Sequence, residues 1–409
     1  MGNLDDERAM FLAIAMTPGI GPHRLATLLQ AFSTALGAHA APFSFLSGLP
    51  GFSRAAATAV REARTEEGYR LLRQAEEMGA RVMTLLDTDY PALLRTIGEP
   101  PPVIFLLGNC GLLDCPAVAI VGSRDHTAYG AEICRTLATA AARRGIVVIS
   151  GMARGLDAVG HVAALDAGGS TIGVLGNGLG VVYPAANRAL YERVAAQGLL
   201  ITEFPPGERP SVYTFPRRNR LISALARATV VVEAASGSGA LITADAALEQ
   251  GREVLAVPGN ITSHTSVGTN RLIRDGAMPI LEVADLLGLY PEAVGREGGK
   301  ADGADRAVET DGADEADEAD RAREADVFGE AVRRSAGPPI EDLSLSTFTP
   351  TERRILTALG SVPLLIDDLA ARAELPVPDA LAGLFTLELA GRVEQWPGGL
   401  FARASPARR

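Results

Sequence analysis

Between residues 81 and 291, short apolar runs alternate with segments of helical spacing. Six runs predict buried strands, at 118–121, 146–150, 171–175, 199–203, 229–233 and 253–257. Helical patterns lie among them, at 129–144, 156–167, 187–197, 217–227 and 239–250. Strands that lack polar alternation and are separated by helices are typical of a parallel sheet covered on both faces. With right-handed crossovers, this pattern predicts an α/β domain built on an extended Rossmann-like, doubly wound parallel sheet.

The segment before this domain has a purely helical pattern. Residues 1–80 are rich in Ala and Leu, and predict an N-terminal helical domain. Two of its segments, 17–32 and 48–63, each consist of a tight Gly turn followed by a helix of apolar periodicity. A SAM/HhH-like domain contains such turns, and the backbone N–H groups at its helix starts can bind a phosphate. The alternative is that these glycines only cap helices.

Two further regions follow the sheet domain. Residues 292–340 have few large apolar side chains and many acids, which predicts a disordered or partly helical acidic linker. Residues 341–409 show three helical patterns and then a β-hairpin around Trp396, the order of a winged-helix domain. Its apolar third helix carries no Lys/Arg cluster, so we expect protein contact rather than base recognition.

The net charge of −11 over 409 residues argues against a wholly basic nucleic-acid binder. Residues 299–326 alone carry eleven acids and four bases, a net charge of −7, which leaves −4 for the remainder. A local basic patch is compatible with this balance. Three cysteines without a CxxC pair, an N-terminus unlike a signal peptide and the absence of an 18-residue apolar run predict a cytoplasmic protein without a membrane span.

Small-residue loops follow three of the predicted strands, where ligands bind in doubly wound sheets. Backbone amides at a strand-to-helix turn favour anions, and arginine suits phosphate. The residues singled out on these grounds are Gly122, Ser123, Arg124, Arg154, Ser236, Gly237, Ser238, Gly239 and Thr243. The first loop lacks the GxGxxG spacing of a dinucleotide site. Asp157 is expected to cap a helix or orient Arg154, and His161 to be a packing residue, so we expect no cofactor, metal site or catalytic residue.

The stretch TFPRRNRLISALAR, residues 214–227, combines Phe215 with Arg217, Arg218 and Arg220 at a helix start. Cations there oppose the helix dipole unless an anion or an acidic side chain offsets them. Basic groups beside a stacking ring are typical of single-strand recognition. The alternative is that one or two of these arginines, Arg220 before Arg218, pair with Glu203 or Glu233 and hold the edge of the sheet.

Seven blocks in series resemble the DNA-processing protein A (DprA/Smf) family over about residues 85–285. They are GSRDHTAYG, SGMARGLDAVGHVAAL, TIGVLGNGL…YP, TEFPPG, FPRRNRLISALA, VVVEAASGSGALITADAALEQGREVLAVPG and GTNRLIRDGA. The resemblance implies a homodimeric protein that binds single-stranded DNA, displaces single-strand-binding protein and loads the recombinase RecA in natural transformation, with no established catalysis or cofactor.

The resemblance also assigns residues. By motif it makes Arg124, Phe215, Arg218, Asn219 and Arg220 DNA contacts, with Ser236–Gly239 beside them. Family members often have a Lys shortly before the Phe, where this chain has the segment 211–214, SVYT. One phosphate contact is therefore absent or supplied elsewhere. Duplex binding, the role of the winged helix and the dimer surface (LISALA or ALITADAAL) stay open.

Two rival functions remain. A Rossmann-like nucleotide phosphoribohydrolase has a similar Gly-rich loop but needs a Glu one turn into the following helix, where this chain has Asp245 as the nearest acid. General acid–base catalysis requires a carboxylate within reach of the reacting group, so this alternative is disfavoured. The other rival is a structural adaptor that acts through the winged helix, against which the arginine cluster beside Phe215 argues.

Overall fold

The structure is a computed structural model that describes residues 2–211, 213–293 and, with gaps, 349–403. The gaps are 360–363, 374, 377–378, 381–382, 385–386, 388–391 and 397–399. The predicted acidic linker, apart from residues 292–293, lies outside the described residues. No helix among the described residues combines the length and apolar character needed to cross a membrane.

Sixteen α-helices are assigned within the described residues. They are α1 Gly2–Ala15, α2 Pro22–Phe32, α3 Ala35–Ala40, α4 Phe43–Leu46, α5 Arg54–Glu62, α6 Thr65–Glu77, α7 Ala92–Arg95, α8 Ala128–Arg143, α9 Leu156–Asp166, α10 Arg188–Gln197, α11 Thr214–Ala224, α12 Gly239–Glu249, α13 Val267–Arg274, α14 Val283–Leu287, α15 Pro350–Ala358 and α16 Ile366–Ala373.

Twelve strands are assigned in the same part of the chain. They are β1 Arg81–Thr84, β2 Val103–Gly108, β3 Ala117–Val121, β4 Val147–Ser150, β5 Thr171–Val174, β6 Leu199–Thr202, β7 Ala228–Val231, β8 Glu253–Ala256, β9 Met278–Pro279, β10 Leu364–Leu365, β11 Val393–Trp396 and β12 Leu400–Arg403. The six predicted strands correspond to β3–β8, and the five helical patterns between them to α8–α12.

The first nine strands form one sheet in the order β1-β2-β6-β5-β4-β3-β7-β8-β9. Its seven strands from β6 to β9 are parallel, as expected for a doubly wound Rossmann-like domain. The prediction missed β1 and β2, which pair antiparallel with each other and with β6. These two strands are joined through α7 without a long crossover helix, as is usual for an antiparallel pair. Strand β2 runs opposite to β6, and β1 runs in the same direction as β6.

The parallel strands are buried on both faces, which explains their near-continuous apolar sequences. Residues 117–121 of β3 are all buried, and α8 and α9 pack over them. On the opposite face, α11 and α12 contribute buried side chains to another core cluster. The segment LISALA, at 221–226, belongs to this core, with Leu221 and Ile222 each 1% exposed. Its proposed use as a dimer surface was therefore wrong.

The N-terminal helices share a core with the sheet. Both Gly turns precede helices as predicted, with Gly19 at φ +87° before α2 and Gly51 at φ +76° before α5. Arg24 of α2 donates to the carbonyl oxygens of both glycines, so the two turns are held together. Buried side chains of α1, α2, α5 and α6 pack in one cluster with those of β1, β2 and α10. A separate domain over residues 1–80 stays a prediction.

The C-terminal residues form a second compact unit. Helix α15 begins with a capping box in which Thr349 and Glu352 satisfy each other's backbone N–H groups. Strands β10, β12 and β11 make an antiparallel sheet in that order, with Trp396 opposite Leu400. Two helices and the hairpin follow the predicted winged-helix order, whereas the third predicted helix lies largely outside the described residues.

Candidate nucleic-acid interface

The loops after β3 and β4 meet at the carboxyl edge of the sheet. Gly122 and Ser123 follow β3, and the Ser123 hydroxyl donates to the carbonyl oxygen of Asp125 at 2.9 Å. Gly155, at φ +81°, approaches this loop so closely that a Cβ would lie 2.5 Å from the Ser123 carbonyl oxygen. Only glycine fits both the left-handed backbone and this contact. The second loop is therefore held directly against the backbone beside Arg124.

Arg124 and Phe215 come together across this edge. The guanidinium carbon of Arg124 lies 5.8 Å from the centre of the Phe215 ring, and the ring of Tyr183 lies 5.6 Å from the same centre. A Cβ on Gly176 would lie 2.8 Å from Phe215 Cδ1, so the loop after β5 leaves room for the ring. We call this group of Arg124, Phe215 and Tyr183 the Arg124 pocket. Its cavity volume is only about 10 Å³, about the space of one water molecule.

Arg218 was expected to contact DNA, but its side chain is buried, with 4% of the residue exposed. Its guanidinium donates to the carbonyl oxygens of Gly151 and Val174, and at 3.1 Å to the side-chain oxygen of Asn219. The two carbonyls stand at the ends of β4 and β5. In this arrangement Arg218 joins two strand ends to α11 and presents no guanidinium to solvent.

Asp157 and His161 are buried close to Arg218, so the three groups interact in a low-dielectric environment. The Asp157 carboxylate accepts from the Gly151 N–H at 3.0 Å; burial raises its pKa, against which the charge of Arg218 acts. Burial lowers the pKa of Arg218 to about 10. Burial, aided by Arg218, lowers the pKa of His161 to about 3, so the imidazole is neutral. His161 Nδ1 lies 2.6 Å from Thr171 Oγ1, in agreement with a packing role.

The other two arginines of the cluster share one acid. Glu203 is buried, and its Oε2 is 3.0 Å from Arg217 and 2.5 Å from Arg220. Arg220 also donates to the Glu99 carbonyl oxygen, and 16% of its side chain is exposed, against 51% for Arg217. The pairing alternative therefore describes both Arg217 and Arg220, and Arg217 keeps half of its side chain exposed.

Arg154 pairs with Asp125 at 3.1 Å, a contact that joins the loops after β4 and β3. The expectation that Asp157 orients Arg154 was wrong, because Asp157 faces Gly151 and Arg218. Asn187 precedes α10, but its side-chain amide makes no cap contact there. It donates instead to the carbonyl oxygen of Met152 at 3.0 Å, a hydrogen bond that holds the loop after β4 against the start of α10.

The loop of Ser236, Gly237, Ser238 and Gly239 begins α12. The Ser238 hydroxyl caps the helix by accepting from the Ala240 N–H. Asn219 donates its side-chain amide to the Gly239 carbonyl oxygen at 3.1 Å, so the loop does lie beside the FPRRNR motif. Thr243 is buried and faces the Gly239 carbonyl. Burial thus removes Thr243 from the surface on which a strand could lie.

Two family models match this chain. The model of DNA recombination-mediator protein A matches residues 81–291, just over half of the chain, and that of the DprA winged helix domain matches 335–399. The chain belongs to the DprA/Smf family. The first match covers the segment predicted to form the sheet domain, whose bounds stay a prediction, and the second overlaps the predicted winged helix.

Individual relatives agree with this assignment. Protein Smf of Synechocystis is 34% identical over 404 residues, which cover 98% of this chain and 99% of that protein. The putative DNA processing protein DprA of Mycobacterium tuberculosis is 37% identical over 330 residues, 77% of this chain and 75% of that protein. The X-ray structure of DprA from Streptococcus pneumoniae matches with a TM-score of 0.61 and 32% identity, over 67% of this chain and 95% of that one.

Sequence reasoning missed Tyr183 as a member of the pocket. It stands nine residues after β5 and before α10, in the block TIGVLGNGL…YP, in which the sequence predicted no site residue. The position of Tyr183 in the sequence could have identified it. A residue in the loop after a parallel strand lies at the same edge of the sheet as the other loops, and an aromatic ring there can contact a ligand. Among the described residues, no group of three or more His, Cys, Asp or Glu side chains could hold a metal ion.

Proposed function

We propose that this DprA/Smf family member binds single-stranded DNA at the Arg124 pocket. The observation that carries the proposal is the approach of a guanidinium and two aromatic rings at the carboxyl edge of the sheet. A planar cation suits a phosphate, and an aromatic ring offers a sequence-tolerant stacking face for a base. Because the cavity is so small, a base has to contact the pocket from its mouth or displace a side chain.

The arginines at this edge of the sheet divide into those that contact phosphates and those that hold the contacting residues in place. Arg124, Arg154 and Arg217 are the arginines of this edge whose side chains reach the surface, and we assign the phosphate contacts to them. The backbone at Gly122, Ser123 and Ser236–Gly239 supplies further donors at helix starts. Arg218, Asn219 and Arg220 support these groups from behind. The missing family lysine falls on the segment 211–214, where Ser211 and Thr214 bond to each other at the start of α11.

In the cell, we propose that a homodimer of this chain loads RecA onto incoming single strands during transformation and recombination, and displaces single-strand-binding protein. This step rests on family membership. The outer face of α12, with Ile242 and Leu248 exposed, is the remaining candidate for the dimer contact. For the winged helix we propose a contact with RecA, with DNA or with another part of the same chain.

Fluorescence anisotropy of a labelled oligo-dT, compared with a duplex of equal length over a salt titration, tests the binding proposal. Tight, salt-dependent binding that favours the single strand is expected. Absence of binding at low salt would overturn the proposal. RecA loading is tested separately, by adding the protein to DNA coated with single-strand-binding protein and following RecA filament growth.

The phosphoribohydrolase alternative finds less support. The candidate acid, Asp245, is exposed on α12, whereas the chemistry needs a carboxylate that reaches the ribosyl bond. We therefore propose that the chain is not an enzyme. Release of free base from nucleoside monophosphates, absent from an Asp245→Asn variant, would contradict this.

A further inference from the structure

A larger cavity lies at the same edge of the sheet, outside the Arg124 pocket. It encloses about 490 Å³. Its wall includes Thr127 and Tyr129 after β3, Glu233 after β7, and Asn260, Ser263 and Ser266 after β8. We call it the Asn260 cavity. The proposed binding of single-stranded DNA at the Arg124 pocket does not involve this cavity.

The one acid in its wall is already satisfied. Glu233 is 2% exposed and accepts from the Thr127 N–H at 2.9 Å, the Thr127 hydroxyl at 2.6 Å and the Thr265 hydroxyl at 3.2 Å. The carboxylate therefore orients the hydroxyls of Thr127 and Thr265. The described wall contains no Lys, Arg or His, so the cavity does not suit a phosphate.

The remaining polar groups are neutral. Asn260 accepts from the N–H and hydroxyl of Thr262 through Oδ1, which leaves its amide N–H₂ without an acceptor among the described residues. Tyr129, 49% exposed, donates its hydroxyl to the Pro258 carbonyl at 3.0 Å, so its ring is held at the rim. An amide, several hydroxyls and an aromatic wall are the groups that hold a nucleobase.

The cavity lies in line with the Arg124 pocket. In the order β5-β4-β3-β7-β8, the Arg124 pocket lies at the loops after β5, β4 and β3, and the Asn260 cavity at the loops after β3, β7 and β8. Their centres, at β4 and β7, are two strand spacings apart, about 10 Å, or about three nucleotides of a stacked strand. The loop 122–130 borders both. We infer that the Asn260 cavity binds a second base of the single strand whose phosphate lies at Arg124; this inference rests on the proposed function.

Abasic scanning tests the inference. The shortest oligo-dT that reaches full affinity is first found by anisotropy, so that the strand has one register. Single abasic sites are then placed along it. With the unmodified protein we expect two separate positions, about three nucleotides apart, at which affinity falls about five- to tenfold. The double variant Tyr129→Ala/Asn260→Ala is expected to lose the dependence at one of them and keep the other.

The controls separate the possible failures. Leu281→Ala removes an exposed apolar side chain outside the cavity wall and should leave both positions unchanged, and thermal melts check that each variant folds. No binding of any oligonucleotide would contradict the proposed function itself. Binding with one sensitive position, or a double variant identical to the unmodified protein, would overturn the second base site while single-strand binding stands.

Discussion

Arg124 and Arg218 approach the same aromatic ring from two environments. Their guanidinium carbons lie 5.8 Å and 6.0 Å from the centre of Phe215. Arg124 is half-buried at a loop, whereas Arg218 is buried among the carbonyl oxygens of two strand ends and beside Asp157. Two arginines equally close to one ring can therefore have different roles. The accessible one can neutralise a phosphate, and the enclosed one maintains the shape of the pocket.

The largest expected effect comes from removing the buried guanidinium. Arg218→Ala leaves the Asp157 carboxylate buried without its cation, which should lower the free energy of unfolding by about 3–5 kcal/mol. Urea unfolding measures it. Any loss of DNA affinity should leave the salt dependence unchanged. Unaltered stability with a weaker salt dependence would instead make Arg218 a phosphate contact and remove the distinction drawn above.

Removal of the accessible guanidinium should have the opposite signature. Arg124→Ala is expected to weaken single-strand binding by about 1.5–3 kcal/mol, because a hydrogen bond to a charged group is lost. The slope of log affinity against log salt should fall by about 0.7, with little change in stability. Salt titrations by anisotropy measure both quantities. An unchanged slope would show that Arg124 does not meet a phosphate.

Phe215, between the two arginines, tests the stacking role. Phe215→Ala should cost about 1–3 kcal/mol of binding free energy if the ring stacks on a base. Tyr183→Ala is the matched comparison, since it removes the neighbouring ring alone. Melting temperatures show whether a variant has only lost stability, in which case Phe215 is a packing residue.

The residues buried around Arg218 also predict how the stability of the protein depends on pH. The pKa of His161 is about 3 in the folded protein and 6.5 in the unfolded chain, so the unfolded chain binds more protons between these values. Stability is therefore complete above pH 6.5 and falls below it, by about 1.4 kcal/mol per pH unit. His161→Gln should unfold with a shallower acid dependence than the unmodified protein. Parallel pH profiles of the two proteins would reject this role for His161.

The smallest effect is expected at Arg217. Its side chain is half exposed, and Glu203 keeps Arg220 as a partner when Arg217 is removed. Arg217→Ala should change the free energy of unfolding by less than about 1 kcal/mol. Urea unfolding beside Arg218→Ala gives the contrast. If Arg217→Ala lowered the free energy of unfolding as much as Arg218→Ala, exposure would not distinguish the roles of the two arginines.

The sequence by itself determined the architecture of the parallel sheet. Strands buried on both faces must be apolar throughout, and the helices between them must be amphipathic, so β3–β8 and α8–α12 leave a local signal. The antiparallel strands β1 and β2 were missed because their place depends on pairing with β6, far along the chain. The glycine loops could be placed at one edge, since parallel strands end on the same side.

Only the tertiary structure decided which arginine faces solvent. RRNR, at 217–220, places three cations within four residues, and one turn of helix points them in different directions. Arg218 finds two strand-end carbonyls, Arg220 finds Glu203, and Arg217 remains partly exposed. Burial and pairing depend on residues more than a dozen positions away, such as Gly151 and Glu203. Local sequence sets the charge of a side chain, whereas the packed neighbours determine whether a ligand can reach it.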